Sequence, residues 1–408
     1  MAGEHSLLSP SGAHRWMRCP GSLALESKIP DQPSKYAAEG TVAHQIGSEC
    51  IQDRLEGGDV TPEDYLGRMM SADGFEFLVT KDMVGHVEKY IDFVFQTAGE
   101  DGQILVERRV DFSEAIDTPN STGTADIIII WPNRIGDIDL KYGMGVKVDA
   151  EDNEQADLYL VGTINDYGFM TEAEDYLAII FQPRIDHISE ACLTQEQLDA
   201  FVVKARAAAQ LATSQLDLPE SELILVPGEK QCRFCKAKAT CPALRDEIRD
   251  VVGHLATKDD FADLAEVGVE PLAYAMDRVP LVEHWCKAIR AEVERRLFDR
   301  KEVPGYKLVE GRKGNRAWTD EEEVIKVMKA GKLKTDEIFE QKLISPTTAE
   351  KTMRKIKPKV WEKLQSVISR ADGKPSVAPA TDKRPALDVS TVSEDTFRDL
   401  IASSEKED

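Results

Sequence analysis

No run in this 408-residue chain approaches the roughly 20 consecutive apolar residues that cross a bilayer. The opening residues, Met1-Ala2-Gly3-Glu4-His5, also lack the basic segment and apolar core of an export signal, so a cytoplasmic protein with no membrane partner is expected. Positive charge is scarce: 51 Lys and Arg stand against 74 Asp and Glu, a net charge of −23. A surface that is acidic throughout repels polyanions, so any anionic partner must be met by a local patch. Residues 301–370 offer one candidate, with 17 Lys and Arg against 11 Asp and Glu, a local balance of +6 that leaves −29 for the remainder. Lys332, Lys334, Lys355, Lys357 and Lys359 carry much of it, although lysines of this kind also simply solvate helices. Seven cysteines in a chain expected in the cytoplasm argue against a disulfide framework, because reducing compartments keep thiols free. A Gly-x-x-x-x-Gly-Lys-Ser/Thr loop is missing as well, which argues against a built-in ATP-driven motor.

Three of the cysteines are clustered. Cys232-x-x-Cys235 followed by Cys241-Pro242 places three thiols within ten residues, and Cys19-Pro20 is the best candidate for a fourth ligand. Four thiolates suit tetrahedral Zn²⁺ or a [4Fe-4S] cluster, and spacing alone does not choose between them. His254 is an alternative to Cys19 if the metal is zinc. Cys50, Cys192 and Cys286 stand singly in apolar patterns and are expected to be packed thiols.

The densest chemistry lies between residues 123 and 159. Gly123-Thr124-Ala125-Asp126 leads into the apolar run Ile127 to Trp131, followed by Ile138-Asp139-Leu140-Lys141 and then by Gln155 and Tyr159. Asp139 and Lys141 alternate along a strand, so both project from one face toward one point. With Asp126 on the preceding strand, two carboxylates can hold Mg²⁺ or Mn²⁺ through oxygen and leave the amine to orient a water against a phosphodiester. Taken alone, an Asp-x-Lys pair is more often a solvated ion pair, but here Tyr142-Gly143-Met144-Gly145 follows as a turn where backbone can approach a ligand. Gln155 and Tyr159, four residues apart, share one helical face and could reach a phosphate or a base.

Around these motifs the periodicity predicts helices from Ser9 to Trp16 with Ser9 as N-cap, from Ala37 to Ile51, from Lys81 to Thr97, and from Gln195 to Gln215 with a Thr194/Gln197 capping box. Strands are predicted at Ile104–Val110, Ala125–Trp131, Ile135–Lys141 and Tyr176–Gln182. The class is α/β: a central mixed sheet flanked by helices, with a mainly helical C-terminal region that includes segments at Asp260–Glu266 and Pro271–Phe298. A division into residues 1–250, 255–370 and a disordered tail at 371–408 is expected.

These residues resemble the RecB-type branch of the PD-(D/E)xK nucleases, which have a restriction-endonuclease-like core. The likeness is to the iron-sulfur group that includes AddB and the CRISPR-adaptation nucleases, and more closely to its phage and prophage proteins; it covers roughly residues 5 to 245. The resemblance implies a metal-dependent DNA exonuclease in phage recombination, replication or repair, acting on linear single- or double-stranded DNA in a bacterial host's cytoplasm. A recombinase, single-strand-binding protein or helicase is an implied partner. His44, Asp126 and Asp139, with the Leu140 carbonyl, would bind Mg²⁺ or Mn²⁺; Glu107 is the acidic residue of the first core strand. Lys141 would orient the attacking water, and Gln155-x-x-x-Tyr159 is the branch's own motif. Cys19, Cys232, Cys235 and Cys241 would hold [4Fe-4S], with structural Zn²⁺ as the alternative. A non-catalytic DNA-binding or recruitment protein on the same fold is the rival reading.

Overall fold

The computed structural model describes residues 6–30, 34–255, 269–307 and 309, with scattered positions between 326 and 368. The chain divides into two units, Met1–Val309 and Glu310–Asp408.

The first unit is built on a five-stranded mixed sheet in the order β3-β4-β5-β6-β7. Its strands are β3 (Gln103–Asp111), β4 (Thr122–Trp131), β5 (Arg134–Leu140), β6 (Asp175–Gln182) and β7 (His187–Leu193). Neighbours pair antiparallel except β5 and β6, which are parallel. The crossover between those two carries helix α3 (Glu154–Tyr167), as a parallel connection requires. A separate hairpin, β1 (Met69–Ala72) with β2 (Phe75–Leu78), precedes the sheet.

Helices cover both faces, so the central strands are apolar on both sides. On one face α1 (Lys35–Leu55) and α2 (Lys81–Ala98) pack against Ile127, Ile129, Ile138 and Leu140; on the other α3 and α4 (Gln195–Ser214) pack against Ile128, Ile130, Ile135 and Ile180. The helix starts are chemically marked. Thr80 Oγ1 accepts from Met83 N at 3.3 Å, Asn153 Oδ1 caps α3 through Gln155 N and Ala156 N, and Thr194 forms the expected capping box with Gln197.

A helical region follows the sheet: α5 (Pro242–Leu255), α6 (Val269–Met276) and α7 (Val279–Phe298). Leu281, Val282 and Trp285 of α7 pack with Leu244, Ile248 and Cys232, so this region closes over the cysteine-bearing segment. In the second unit, α8 (Pro358–Gln365) buries Trp361. No helix among the described residues is long and apolar enough to cross a membrane.

Several expectations need correction. The single helix Pro271–Phe298 is two, because Pro280 lies in the first turn of α7, where it lacks an N–H and its ring cannot follow a preceding helical turn. Ser9 precedes a 3₁₀ turn, Pro10–Gly12, without a side-chain capping bond. Cys192 is exposed rather than packed, since it lies on β7, an edge strand whose alternate residues face solvent; Cys50 is buried and Cys286 half-buried. Strand β7 and the β1–β2 hairpin are not among the expected strands; in β7 the exposed face carries Ile188 and Cys192 and the half-buried face His187 and Ser189, so no apolar–polar alternation marks it in the sequence. The Asp260–Glu266 segment, the 371–408 tail and Lys332, Lys334, Lys355 and Lys357 lie outside the described residues; Lys359 is exposed.

Candidate active site and cysteine cavity

One irregularity of the sheet assembles the acidic residues. In a regular strand, residues an even number apart project to the same face. Val106 packs on the α1/α2 side yet Val110 on the α3/α4 side, and Ile127 and Ala125 split in the same way. The switch falls at Glu107, which has φ +49°, and at Asp126 directly across from it, where the ladder skips a pair between Val106↔Ile127 and Arg108↔Ala125. A non-glycine residue in the left-handed region costs on the order of 1–3 kcal/mol and persists only where its surroundings impose it. Here the distortion turns both carboxylates toward His44 of α1.

The ligand atoms of His44, Glu107 and Asp126 all lie within 4.8 Å of one another. His44 Nδ1 is 3.4 Å from Asp126 Oδ1, and Asp126 Oδ2 accepts from Leu140 N at 2.8 Å. Pairing between β4 and β5 ends at Ile127↔Ile138, so the Asp126 side chain takes up the backbone donor that a continuing β4 would have met. The Leu140 peptide is thereby drawn to the site through its N–H.

Asp139 stands beside this group rather than within it. Lys141 Nζ donates to Asp139 Oδ1 at 3.1 Å and to Gln155 Oε1 at 3.2 Å, while Gln155 Nε2 donates to the same Asp139 Oδ1 at 3.2 Å. Asp139 Oδ2 is sealed from solvent; Lys141 Nζ is 2.8 Å away, but without hydrogen-bond geometry. Gln155 thus fixes Lys141 against Asp139, and its side chain also bonds Tyr159.

Charge is unevenly shared. Burial works against the His44 imidazolium, but the Asp126 carboxylate outweighs it and raises the pKa to about 9. Burial likewise opposes ionisation of Asp126, yet His44 and the Leu140 N–H hold it below the usual carboxylate range. Glu107, whose side chain opens to solvent at one edge, is pushed up to about 7 by desolvation and then by Asp126. For Asp139 desolvation wins over Lys141, and its carboxyl is raised. Three carboxylates therefore share one imidazole and one ammonium, a donor set of hard oxygens with one nitrogen that a divalent cation fits.

Gly123 of the Gly-Thr-Ala-Asp motif has a steric reason. A Cβ there would lie 2.7 Å from Pro10 Cγ and 2.8 Å from Tyr159 Cε1. Gly123→Ala is expected to destabilise the protein by about 1–3 kcal/mol through overpacking, read as a lower urea midpoint at unchanged m-value.

The four singled-out cysteines, Cys19, Cys232, Cys235 and Cys241, line one cavity. Each sulfur faces backbone amide donors: Val226 N reaches Cys19 Sγ at 3.3 Å, Gly228 N reaches Cys232 Sγ at 3.4 Å, Ala237 serves Cys235, and Ala243 and Leu244 serve Cys241. As free thiols all four are pushed up by burial, Cys19 to about 11 and Cys235 to about 12. The walls are cross-tied: Gly21 N donates to Ile224 O, and buried Glu26 binds Arg15 at 2.6 Å and accepts from Lys236 N at 2.7 Å. The His254 side chain lies outside the described residues.

Sequence reasoning missed the link between the two centres. Arg18, next to Cys19, is ion-paired with Glu154, next to Gln155. Residues 136 apart offer no periodic signal, so only the fold reveals the pair.

Among solved structures, the chain is similar to a candidate exonuclease from Eubacterium rectale, at 10% identity over 52% of this chain and 82% of that one, with a TM-score of 0.31. It is also similar to SSO0001, at 15% identity over 56% and 83%, with a TM-score of 0.23. Both likenesses are too distant to bear on function. The model of a family described as a protein of unknown function, DUF2800, matches residues 5–385, and the chain belongs to that family.

Proposed function

We propose that the chain is a Mg²⁺- or Mn²⁺-dependent deoxyribonuclease of the PD-(D/E)xK type that works from DNA ends. The observation that carries the reading is the convergence of His44, Glu107 and Asp126 within 4.8 Å beside the Lys141–Asp139–Gln155 network. His44, Glu107 and Asp126 would hold the ion with Asp139 at its flank, and His44 would give up its extra proton on binding. When bound, the ion polarises the scissile phosphate and acidifies a water. Lys141, held between Asp139 and Gln155, supplies a cationic donor where charge develops, and Gln155 and Tyr159 keep it aimed. Service to phage recombination, replication or repair, and a recombinase, single-strand-binding protein or helicase as partner, belong to this reading; a helicase suits a sequence without a phosphate-binding loop of its own.

The cysteine cavity is proposed to hold [4Fe-4S]. The four cysteines that line it form an all-sulfur ligand set, which suits [4Fe-4S], with structural Zn²⁺ as the alternative. Amide N–H groups directed at each sulfur stabilise thiolate charge in the same way.

The test is incubation of anaerobically purified protein with end-labelled linear and circular DNA, single- and double-stranded, in Mg²⁺, Mn²⁺ or EDTA. Loss of linear DNA only, blocked by EDTA, is expected. Binding without cleavage in every condition would establish the recruitment role instead. Iron and sulfide analysis of the same sample decides the cluster, and zinc in their place would overturn that part.

A further inference from the structure

We infer that Arg109, braced by Thr122, receives the backbone phosphate next to the scissile one; the inference rests on the nuclease reading above. Val110 packs on the α3/α4 side, so Arg109 beside it projects to the opposite side, that of α1 and His44. It lies two residues, about 7 Å, beyond Glu107 along the strand. Thr122 is its diagonal neighbour across the β3–β4 pair, where Arg109 faces Thr124.

Arg109 Nε and Nη2 both donate to Thr122 Oγ1, at 3.2 and 3.0 Å. The Thr122 backbone is itself anchored, its N–H donating to Ser6 Oγ at 3.4 Å. A neutral hydroxyl thus orients the guanidinium without cancelling its charge, and among the described residues no carboxylate pairs with it. Its remaining N–H groups are free to meet an acceptor.

The chemistry of the substrate asks for such a residue. A DNA strand brings a negative charge with every nucleotide, and a bound cation compensates only the phosphate it touches. The neighbouring phosphate would otherwise meet Glu107 and Asp126 in a chain of net charge −23. A pre-oriented exposed arginine one step from the metal group fits that phosphate, because guanidinium and phosphate make paired charge-assisted hydrogen bonds.

The experiment measures binding apart from cleavage. Fluorescence anisotropy with a labelled single-stranded oligonucleotide, in Ca²⁺ and a Lys141→Ala background, is run between about 50 and 200 mM salt. Arg109→Ala is expected to weaken binding roughly tenfold or more at low salt and to lower the slope of log affinity against log salt by about 0.7, one phosphate's worth. Arg109→Lys keeps the slope and loses affinity, and Lys204→Ala on α4 changes neither. In the cleavage-competent protein, Arg109→Ala raises KM more than it lowers kcat. Affinity and slope unchanged in Arg109→Ala would overturn the inference and leave this arginine as an edge-strand charge that deters strand pairing. If the parent bound no DNA at all, the nuclease reading would fail and this inference with it.

Discussion

Replacing Lys141 with alanine should lower the rate of phosphodiester cleavage by about two to three orders of magnitude while the protein stays folded and still binds DNA. The magnitude is that of removing one preorganised electrostatic donor from a site where charge develops. Lys141 is held by Asp139 Oδ1 and Gln155 Oε1, so it loses no freedom at the moment of reaction. The fold survives because Asp139, already raised by burial, can take up a proton when its cation is removed and so avoids a bare buried charge. Lys141→Arg should not rescue, since a planar guanidinium cannot occupy a point-charge position between an amide and a carboxylate. Single-turnover cleavage beside a thermal melt is the measurement. Undiminished turnover in Lys141→Ala would remove this residue from the chemistry.

The second large effect is expected at the cysteines. On the cluster proposal, Cys235→Ser should eliminate iron from the purified protein, lower the melting temperature by on the order of 10 °C, and reduce cleavage although the acidic group itself is made of His44, Glu107 and Asp126. The loss of stability follows from the cavity's position: its four lining thiols, two buried and two half-buried, come from residue 19 and from 232–241, and a bound cluster would tie these two segments together. The loss of activity follows from the Arg18–Glu154 pair, which joins the Cys19 segment to the first turn of α3 and so to Gln155 and Lys141. Arg18→Ala separates the two effects. It should retain iron and most of the melting temperature yet still slow cleavage; equal activity in Arg18→Ala and the parent would show that the cavity acts on stability alone.

The motifs were readable because they are local. Asp139 and Lys141 are two apart on a strand, Gln155 and Tyr159 four apart on a helix, and Cys232 and Cys235 three apart in a tight turn, so backbone geometry alone makes each pair neighbours. The helices α1, α2 and α4 and the strands β3 to β6 announced themselves through apolar periodicity, with a capping box besides at α4. The weaker elements were less legible. The edge strand β7 has only one buried face, and the break at Pro280 interrupts an otherwise helical pattern.

Residue type and spacing by themselves determined the α/β class, the two clusters of candidate ligands and the absence of a phosphate-binding loop, because each depends on neighbours within one turn or strand. Only the tertiary structure decided that Glu107 sits opposite Asp126 at a paired break in the sheet, that Gly123 is clamped between Pro10 and Tyr159, that Thr122 braces Arg109, and that Arg18 reaches Glu154. Those contacts join residues far apart in sequence, or depend on a strand switching faces. Strand pairing and helix packing set them, and no local pattern encodes them.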